Sequence, residues 1–281
     1  MINWQNLEDN LEAYHEQFDN APSFRHVVMD NFLEPEMCRR VSAGFETALS
    51  HKNHGATKSH RDVLRKTGTP NLNVMTRDQV AVFDEIHSQR FLDFLERLTG
   101  ISPVYADAAL KGGGLHSSAR GGYLNVHTDF NFHPSDDTHR PLNLILYVNE
   151  EWQEEWEGAL ELWNEDVTRC EAKIFPQFNR AALFETSEIS FHGHPIPLNC
   201  PEGVTRKSLA VYYYSLWPEG LERRAKTYYV LTPNQKKGLR EDVSSAMQKG
   251  ATNFEEASEM LPAWQPAHVK RMFSELKNVR S

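Results

Sequence analysis

Two residues of one short segment, His127 and Asp129, have the side-chain types and the spacing that a metal site requires. In an extended strand, residues two positions apart project from the same side, so both side chains can reach one ion while Thr128 points away. Two histidines and one carboxylate form the ligand set of non-haem iron(II) sites that keep coordination positions open. Since one strand cannot supply all three ligands, we expect a second histidine from another element.

A histidine-containing turn supplies two candidates for that third ligand. The apolar run 180–185 is followed by Ser190-Phe191-His192-Gly193-His194. On the residues alone, His192 and His194 are alternatives.

An arginine beyond this turn indicates an anionic ligand next to the metal. Arg206 opens the run 206–215, and by strand alternation it shares a face with Ser208 and Ala210. A guanidinium binds a carboxylate through paired, charge-assisted hydrogen bonds, and small neighbours leave room for the bound molecule. Lys207, on the opposite face, is the alternative anchor. The arrangement therefore predicts a metal site beside a site for an anionic cosubstrate.

The composition of the 281-residue chain is that of a globular protein, with 40% hydrophobic and 25% charged residues. The formal charge of −9 argues against a nucleic-acid-binding surface, which needs clustered Lys and Arg. The three cysteines show no disulfide or zinc spacing, and no apolar run is long enough to span a membrane. We therefore predict a cytoplasmic protein that binds neither nucleic acid nor membrane.

Short extended segments separated by turn residues dominate the middle of the chain. Eight are predicted, at 104–110, 121–129, 141–149, 159–163, 170–175, 180–185, 206–215 and 226–232. Short strands at this density indicate an antiparallel sandwich or barrel, and a jelly roll fits their number. Residues 51–72, rich in His, Lys, Arg, Thr and Asn, are predicted to be a loop.

One catalytic domain with flanking elements is the simplest organisation. We predict N-terminal helical and strand elements at 1–103 that pack on the core, a catalytic core at 104–217, and a final strand with a C-terminal helical extension at 218–281. The loop 51–72 and the C-terminal helices are candidates for a lid over the site or for a homodimer contact.

The order of these motifs resembles that of the iron(II)- and 2-oxoglutarate-dependent dioxygenases, and among them the prolyl-4-hydroxylase-like branch. The similarity covers about residues 24–217, and the stretches 142–149 and 156–162 are similar to that branch's YLN…W…GGxL segment. The resemblance implies a mostly β fold with flanking helices, a double-stranded β-helix of the jelly-roll or cupin-like kind. It also implies Fe(2+) as the metal, with 2-oxoglutarate and O2 as cosubstrates.

Carried over position by position, the resemblance assigns His127, Asp129 and His192 to the iron. His192 is favoured over the second histidine because it directly follows the Ser-Phe strand ending. Arg206 would bind the far carboxylate of 2-oxoglutarate, and Tyr147 would donate a hydrogen bond to the same group. Candidates for the substrate mouth are Tyr123, Asn125, Trp163 and His194.

The implied activity is hydroxylation of an unactivated C–H bond of a small molecule, such as an amino acid, a sugar or a natural-product intermediate, coupled to decarboxylation of 2-oxoglutarate to succinate. Related halogenases carry a small residue in place of Asp129, so its presence favours hydroxylation. Two alternatives stay open: a prolyl hydroxylase acting on a peptide or protein, and a non-catalytic or 2-oxoglutarate-independent cupin-like metal-binding protein. Arg206 and Tyr147 argue against the second.

Overall fold

The computed structural model describes residues 1–50, 58–133 and 135–280. The first part of the chain forms a layer of helices with strands between them. The helices are α1 (Trp4–Asp9), α2 (Leu11–Asp19), α3 (Pro35–Ala43), α4 (Phe45–Ser50), α5 (Arg77–Ile86) and α6 (Gln89–Thr99). The strands are β1 (His26–Asp30), β2 (Lys58–His60) and β3 (Val63–Thr69). Helix α5 begins with a capping box between Thr76 and Gln79, and α6 ends at Gly100, whose φ of +71° suits a glycine cap.

The middle of the chain is an antiparallel sheet that curls into a nearly closed barrel. Its strands are β4 (Tyr105–Ala106), β5 (Gly114–Thr128), β6 (His139–Tyr147), β7 (Leu160–Trp163), β8 (Cys170–Ile174), β9 (Arg180–Glu185), β10 (His192–His194), β11 (Thr205–Ser215) and β12 (Tyr228–Tyr229). The strand order is β1-β9-β6-β11-β5-β10-β7-β8, with β3 and β12 also pairing with β5. The eight predicted strands are all present, and the predicted jelly roll with flanking helices is confirmed.

Strand β5 belongs to both layers of the barrel because it changes partners along its length. Its first half pairs with β11 and its second half pairs with β10 and β12, while β3 runs beside both halves, from Leu115 to Leu124. The change falls near Gly121, which has a φ of +77°, and Gly122, where a Cβ would lie 2.7 Å from the carbonyl oxygen of Ala119. The backbone conformation at this change of partners therefore depends on glycine at both positions.

The two faces of β6, β9 and β11 have different environments. One face packs against the helical layer in the largest hydrophobic cluster, through residues that include Leu142, Leu144, Leu183, Leu209 and Val211. The other face looks into the barrel and carries polar or small residues, including Asn143, Arg206, Ser208 and Ala210. Strand alternation thus gives these strands an apolar outer face and leaves an inner cavity.

The predicted loop at 51–72 is wrong for its second part. Residues 58–60 and 63–69 form the hairpin β2–β3, which joins the sheet through β5, whereas residues 51–57 lie outside the described residues. The polar composition of β3 concealed it, because one face of this strand lines a polar cavity instead of an apolar core.

The C-terminal part forms a helical unit with its own hydrophobic cluster, made by α7 (Pro233–Gln248), α8 (Phe254–Met260) and α9 (Pro266–Arg280). It is hydrogen-bonded to the β2–β3 turn: Gln265 Nε2 donates to Asp62 Oδ2 at 2.6 Å, and Arg61 Nε donates to the Pro262 carbonyl at 3.0 Å. The division at residues 103 and 217 stays a prediction. Among the described residues, no helix combines the length and apolar character needed to cross a membrane.

Candidate metal centre and cosubstrate pocket

The end of β5 and the short strand β10 bring His127, Asp129 and His192 together in a buried position. The two histidines are paired across β5 and β10, with ring centroids 4.5 Å apart. Their Nε2 atoms lie 3.5 and 3.4 Å from the carboxylate oxygens of Asp129, and one ligand atom of each residue lies within 4.8 Å of the others. In the part of the chain that the structure describes, this is the only such group of three potential ligands.

Backbone carbonyls fix the orientation of both imidazole rings. The Nδ1 atom of His127 lies 2.8 Å from the Asn125 carbonyl, and that of His192 lies 2.8 Å from the Ser190 carbonyl. A carbonyl can only accept, so Nδ1 carries the proton and the Nε2 lone pair faces the other ligands. Burial and the neighbouring His192 lower the pKa of His127, which favours its neutral form. This donor set fits a divalent metal ion of the iron type.

Asp129 is held by two buried side chains of β6. Arg140 Nη2 and Asn143 Nδ2 each donate to its Oδ2 at 2.9 Å, while Arg140 also donates to the Asn143 Oδ1. Burial by itself would raise the pKa of Asp129, but the charge of Arg140 outweighs it and holds the pKa well below its usual range. The carboxylate is therefore charged, and its Oδ1 is the oxygen left for a metal.

Arg140 is itself fully buried, so its charge needs partners in the protein interior. Its guanidinium lies 3.3 Å from the ring centroid of Tyr212 and 4.4 Å from that of Phe130. A buried cation without a partner would be strongly destabilising, so the ion pair with Asp129 stabilises both charges. The main chain at Asp129 is held separately, since Arg224 donates to its carbonyl from Nε and Nη2 at 2.9 and 2.7 Å.

A cavity of about 210 Å³ opens in front of the three ligands. Its deep wall carries Arg206, Ser208 and Ala210 of β11, as the alternation predicts, and its outer part is lined by rings of Phe130, Tyr212 and Tyr229. The remaining lining residues are Val63, Lys66, Gly112, His116, Ser118, Leu124, Asn143, Ile145, Leu160, Gly193, His194 and Thr227.

Arg206, and not Lys207, reaches the cavity. Its Nε donates to the Gly158 carbonyl at 2.7 Å and its Nη2 to the Tyr147 hydroxyl at 3.0 Å, so part of the guanidinium remains for a ligand. Tyr147 is fully buried beneath it and does not line the cavity; burial raises its pKa, so its hydroxyl keeps its proton. Lys207 points the other way, with its Nζ 3.5 Å from the Ser42 carbonyl.

The structure brings one of the four predicted substrate residues to the cavity, His194. Burial, together with Arg206 and Lys66, lowers its pKa well below the usual range, and its Nδ1 is buried without a hydrogen-bond partner. Tyr123 and Asn125 lie outside the cavity because the β2–β3 turn covers them: both donate to the Arg61 carbonyl, at 3.1 and 3.4 Å.

Trp163 also lies outside the cavity, packed on the outer face of the sheet with Val126 and Phe191. The alternation predicted for residues 121–129 fails at Leu124, which lines the cavity together with His127. The cause is a shift of one residue in the register between β5 and β10, where His192 lies opposite His127 but His194 lies opposite Leu124.

Several residues of the site were missed by sequence reasoning, namely Lys66, Arg140, Asn143, Arg224 and Tyr229. One sequence signal was available: Arg140 and Asn143 stand in an otherwise apolar strand, and buried polar groups of this kind need partners. The others depend on contacts between distant segments. The ring of Tyr229, for example, lies 5.2 Å from that of His127 because β12 pairs with β5.

Comparison with known proteins agrees with this geometry. Residues 113–214 match the family model of the 2OG-Fe(II) oxygenase superfamily. Similar solved structures include a prolyl 4-hydroxylase from Phytophthora capsici (TM-score 0.56, 16% identity, covering 100% of this chain and 95% of that chain) and a Pseudomonas putida prolyl-4-hydroxylase (TM-score 0.50, 16% identity, 72% and 98%). A third is HygX from Streptomyces hygroscopicus with nickel, 2-oxoglutarate and hygromycin B bound (TM-score 0.50, 12% identity, 78% and 98%).

A search of curated proteins found no match. The family match and the structural neighbours confirm the resemblance predicted from the sequence. Members of this superfamily use Fe(2+), 2-oxoglutarate and O2, so the predicted cofactor and cosubstrates are confirmed as well.

Proposed function

We propose that this chain, a member of the 2OG-Fe(II) oxygenase superfamily, hydroxylates an unactivated C–H bond of a small molecule while 2-oxoglutarate is decarboxylated to succinate. The observation that carries the proposal is the cavity that joins the buried His127, Asp129 and His192 at one wall to Arg206 at another. A metal-binding set and a carboxylate-binding cation in one small space are what a 2-oxo acid requires.

The residues have separate roles in this proposal. His127 and His192 hold the iron through Nε2, and Asp129 holds it through Oδ1, since its Oδ2 is occupied by Arg140 and Asn143. When bound, the iron with 2-oxoglutarate and O2 supplies the oxidising power for hydroxylation. Arg206 binds the far carboxylate of 2-oxoglutarate, and Tyr147 positions the guanidinium from below.

The size of the cavity limits how much of a substrate can enter it. Its volume of about 210 Å³ is below the roughly 300–1,000 Å³ of typical ligand pockets, and part of it is needed for 2-oxoglutarate. The substrate therefore places only a small reacting part inside, between the rings of Phe130, Tyr212 and Tyr229. Aromatic faces of this kind suit the C–H-rich surface of an aliphatic or ring compound.

We also propose that the protein works in a reducing compartment such as the cytoplasm. The three cysteines are free, and two of them, Cys38 and Cys200, are buried. Burial raises the pKa of the Cys38 thiol to about 12, which makes it unreactive.

The test is an anaerobic titration with iron(II) and 2-oxoglutarate, followed by succinate measurement after O2 is admitted. We expect a charge-transfer absorption band in the visible region for the protein, and no band for the variants His127→Ala and Asp129→Ala, whose far-UV circular dichroism stays unchanged. Succinate release is then measured with a panel of metabolites and of proline-containing peptides. The absence of the band in the unmodified protein would contradict the proposal. Succinate release that only peptides stimulate would show that the substrate is a peptide and not a small molecule.

A further inference from the structure

The connection between β11 and β12, residues 216–227, passes beside the chain that follows Asp129. The buried Asn131 holds it there: its N–H donates to the Arg224 carbonyl at 3.1 Å, and its Oδ1 accepts from the Arg224 N–H at 2.8 Å. Its Nδ2 also donates to the Glu222 carbonyl at 2.8 Å. The backbone of Arg224 is therefore fixed beside a residue only two positions from a metal ligand.

The guanidinium of Arg224 bridges the two segments that carry the metal ligands. Its Nε and Nη2 donate to the Asp129 carbonyl at 2.9 and 2.7 Å, and its Nη2 also donates to the Ser187 carbonyl at 3.2 Å. Asp129 directly follows β5, whereas Ser187 lies in the turn between β9 and β10. One partly buried side chain from outside both strands therefore joins the end of β5 to the turn that leads into β10.

The hydrogen bond to Ser187 reaches the third ligand through a short turn. Ser190 Oγ donates to the Ser187 carbonyl at 3.0 Å and accepts from the Ser187 N–H at 2.8 Å. The Ser190 carbonyl lies 2.8 Å from Nδ1 of His192 and orients its ring. A displacement of Ser187 would therefore move the carbonyl that orients His192. Arg224 thus acts on two of the three ligands, on one through its main chain and on the other through this turn.

Two effects of Arg224 on a bound metal ion have opposite signs. Its positive charge repels a divalent cation and by itself lowers the affinity for the metal. Its hydrogen bonds hold the ligands in place before the metal binds, and the loss of such supporting contacts lowers metal affinity about 10- to 100-fold. Lysine keeps the charge but lacks the planar fork that reaches two carbonyls at once, so it separates the two effects.

Resting on the proposed function, we propose that Arg224 is a positioning residue of the metal centre. It fixes the end of β5 and the turn before β10 relative to each other, so that Asp129 and His192 converge on one ion. The same connection carries Thr227, and Tyr229 follows in β12; both line the cavity. The chain beyond β11 therefore contributes to the site itself.

The experiment measures the Kd of Mn(II) for the metal-free full chain and for the variants Arg224→Lys and Arg224→Met. We expect the Kd to rise about 10- to 100-fold in both variants, because both lose the bridge. Tighter binding in Arg224→Met with an unchanged Kd in Arg224→Lys would show that only the charge matters and would overturn the inference. An unchanged Kd in both variants would overturn it as well.

A spectroscopic readout separates positioning from a purely structural role. The d–d absorption bands of Co(II), bound at saturation, report the positions of the ligands around the ion. We expect these bands to shift in both Arg224 variants. Bands identical to those of the unmodified protein would overturn the inference, and so would a metal-free Arg224→Lys protein that is unfolded by far-UV circular dichroism.

The matched control is Arg223→Met, which removes a positive charge from the preceding position. The Arg223 side chain is exposed, pairs with Asp137 and lies over the ring of Trp217. The change should leave the Kd of Mn(II) and the Co(II) bands as they are, and an effect equal to that of Arg224→Met would overturn the inference. Failure of the unmodified protein to bind Mn(II) would instead overturn the proposed function.

Discussion

Asp129 is the residue on which most polar contacts of the site converge. Its carboxylate meets two imidazoles, a guanidinium and an amide, and its carbonyl meets Arg224. The two histidines and Asp129 could be predicted from the sequence because ligand type and i, i+2 spacing are local signals. For Arg140 and Asn143 the sequence indicates only that they need polar partners, and not that Asp129 is the partner, since this depends on β6 passing beside the end of β5.

At this scale we expect Asn143→Ala to weaken metal binding. The change removes one donor to Asp129 Oδ2 and one acceptor for Arg140, so the carboxylate loses its fixed orientation. Loss of such supporting contacts typically lowers metal affinity about 10- to 100-fold. Mn(II) titration measures the effect, and Asn149→Ala is the control, because Asn149 is equally buried but donates to the Thr205 carbonyl outside the cavity. Equal affinities of both variants would contradict a supporting role for Asn143.

A second prediction concerns the assignment of Arg206 over Lys207. Arg206→Met should raise the Kd of 2-oxoglutarate about 10- to 150-fold, because a charge-assisted hydrogen bond contributes about 1.5–3 kcal/mol. The affinity for Mn(II) alone should change little. Lys207→Met, on the opposite face of β11, should leave both constants as they are. Calorimetry measures the Kd of Mn(II) with the metal-free protein and the Kd of 2-oxoglutarate with the Mn(II)-loaded protein. A large rise in the Kd of 2-oxoglutarate for Lys207→Met would reverse the assignment.

At the scale of elements, the site depends on how closely β10 approaches β5. His192 and His194 flank Gly193, where a Cβ would lie 2.8 Å from the Leu124 carbonyl oxygen and 2.9 Å from that of Asn125. Only glycine permits this approach, and the shift in register occurs at the same place. Strand β10 was not predicted from the sequence, because its three residues are too few to show a periodicity.

We therefore expect Gly193→Ala to move β10 away from β5 and to disturb the position of His192. The free energy of unfolding should fall by about 1–3 kcal/mol, as for other overpacked positions, and the Mn(II) affinity should fall with it. Urea unfolding and metal titration are the measurements. Gly238→Ala is the control: in helix α7 the nearest atom to its Cβ is 3.9 Å away, so it should be neutral or stabilising by about 0.5–1 kcal/mol. A neutral Gly193→Ala would show that the approach of the strands tolerates a methyl group.

At the scale of the whole molecule, the strand pattern was sufficient to predict the fold class but not the residues that line the cavity. Strands with an apolar outer face, such as β6, β9 and β11, were predictable because burial on the helical layer leaves a hydrophobic pattern. The hairpin β2–β3 was not, since its inner face is polar and its edge is held by long-range bonds such as Gln265 to Asp62. That hairpin also carries Lys66, which lines the cavity, so this wall of the cavity was the least predictable part of the site.

The stability of the molecule should decrease as the pH falls from about 7 to 5. Burial lowers the pKa of His26, His87 and His139 below that of an unfolded histidine, which is about 6.5. The unfolded chain therefore takes up protons first as the pH falls below 6.5, and stability that is present above this value is lost.

His87 also has a buried Nε2 without a hydrogen-bond partner. His87→Leu should reduce the loss in unfolding free energy between pH 7 and 5, measured by urea denaturation of the metal-free protein. His15→Leu, at a half-exposed position, is the control and should retain the loss of the unmodified chain. An unchanged pH dependence in His87→Leu would assign the acid sensitivity to the other buried histidines.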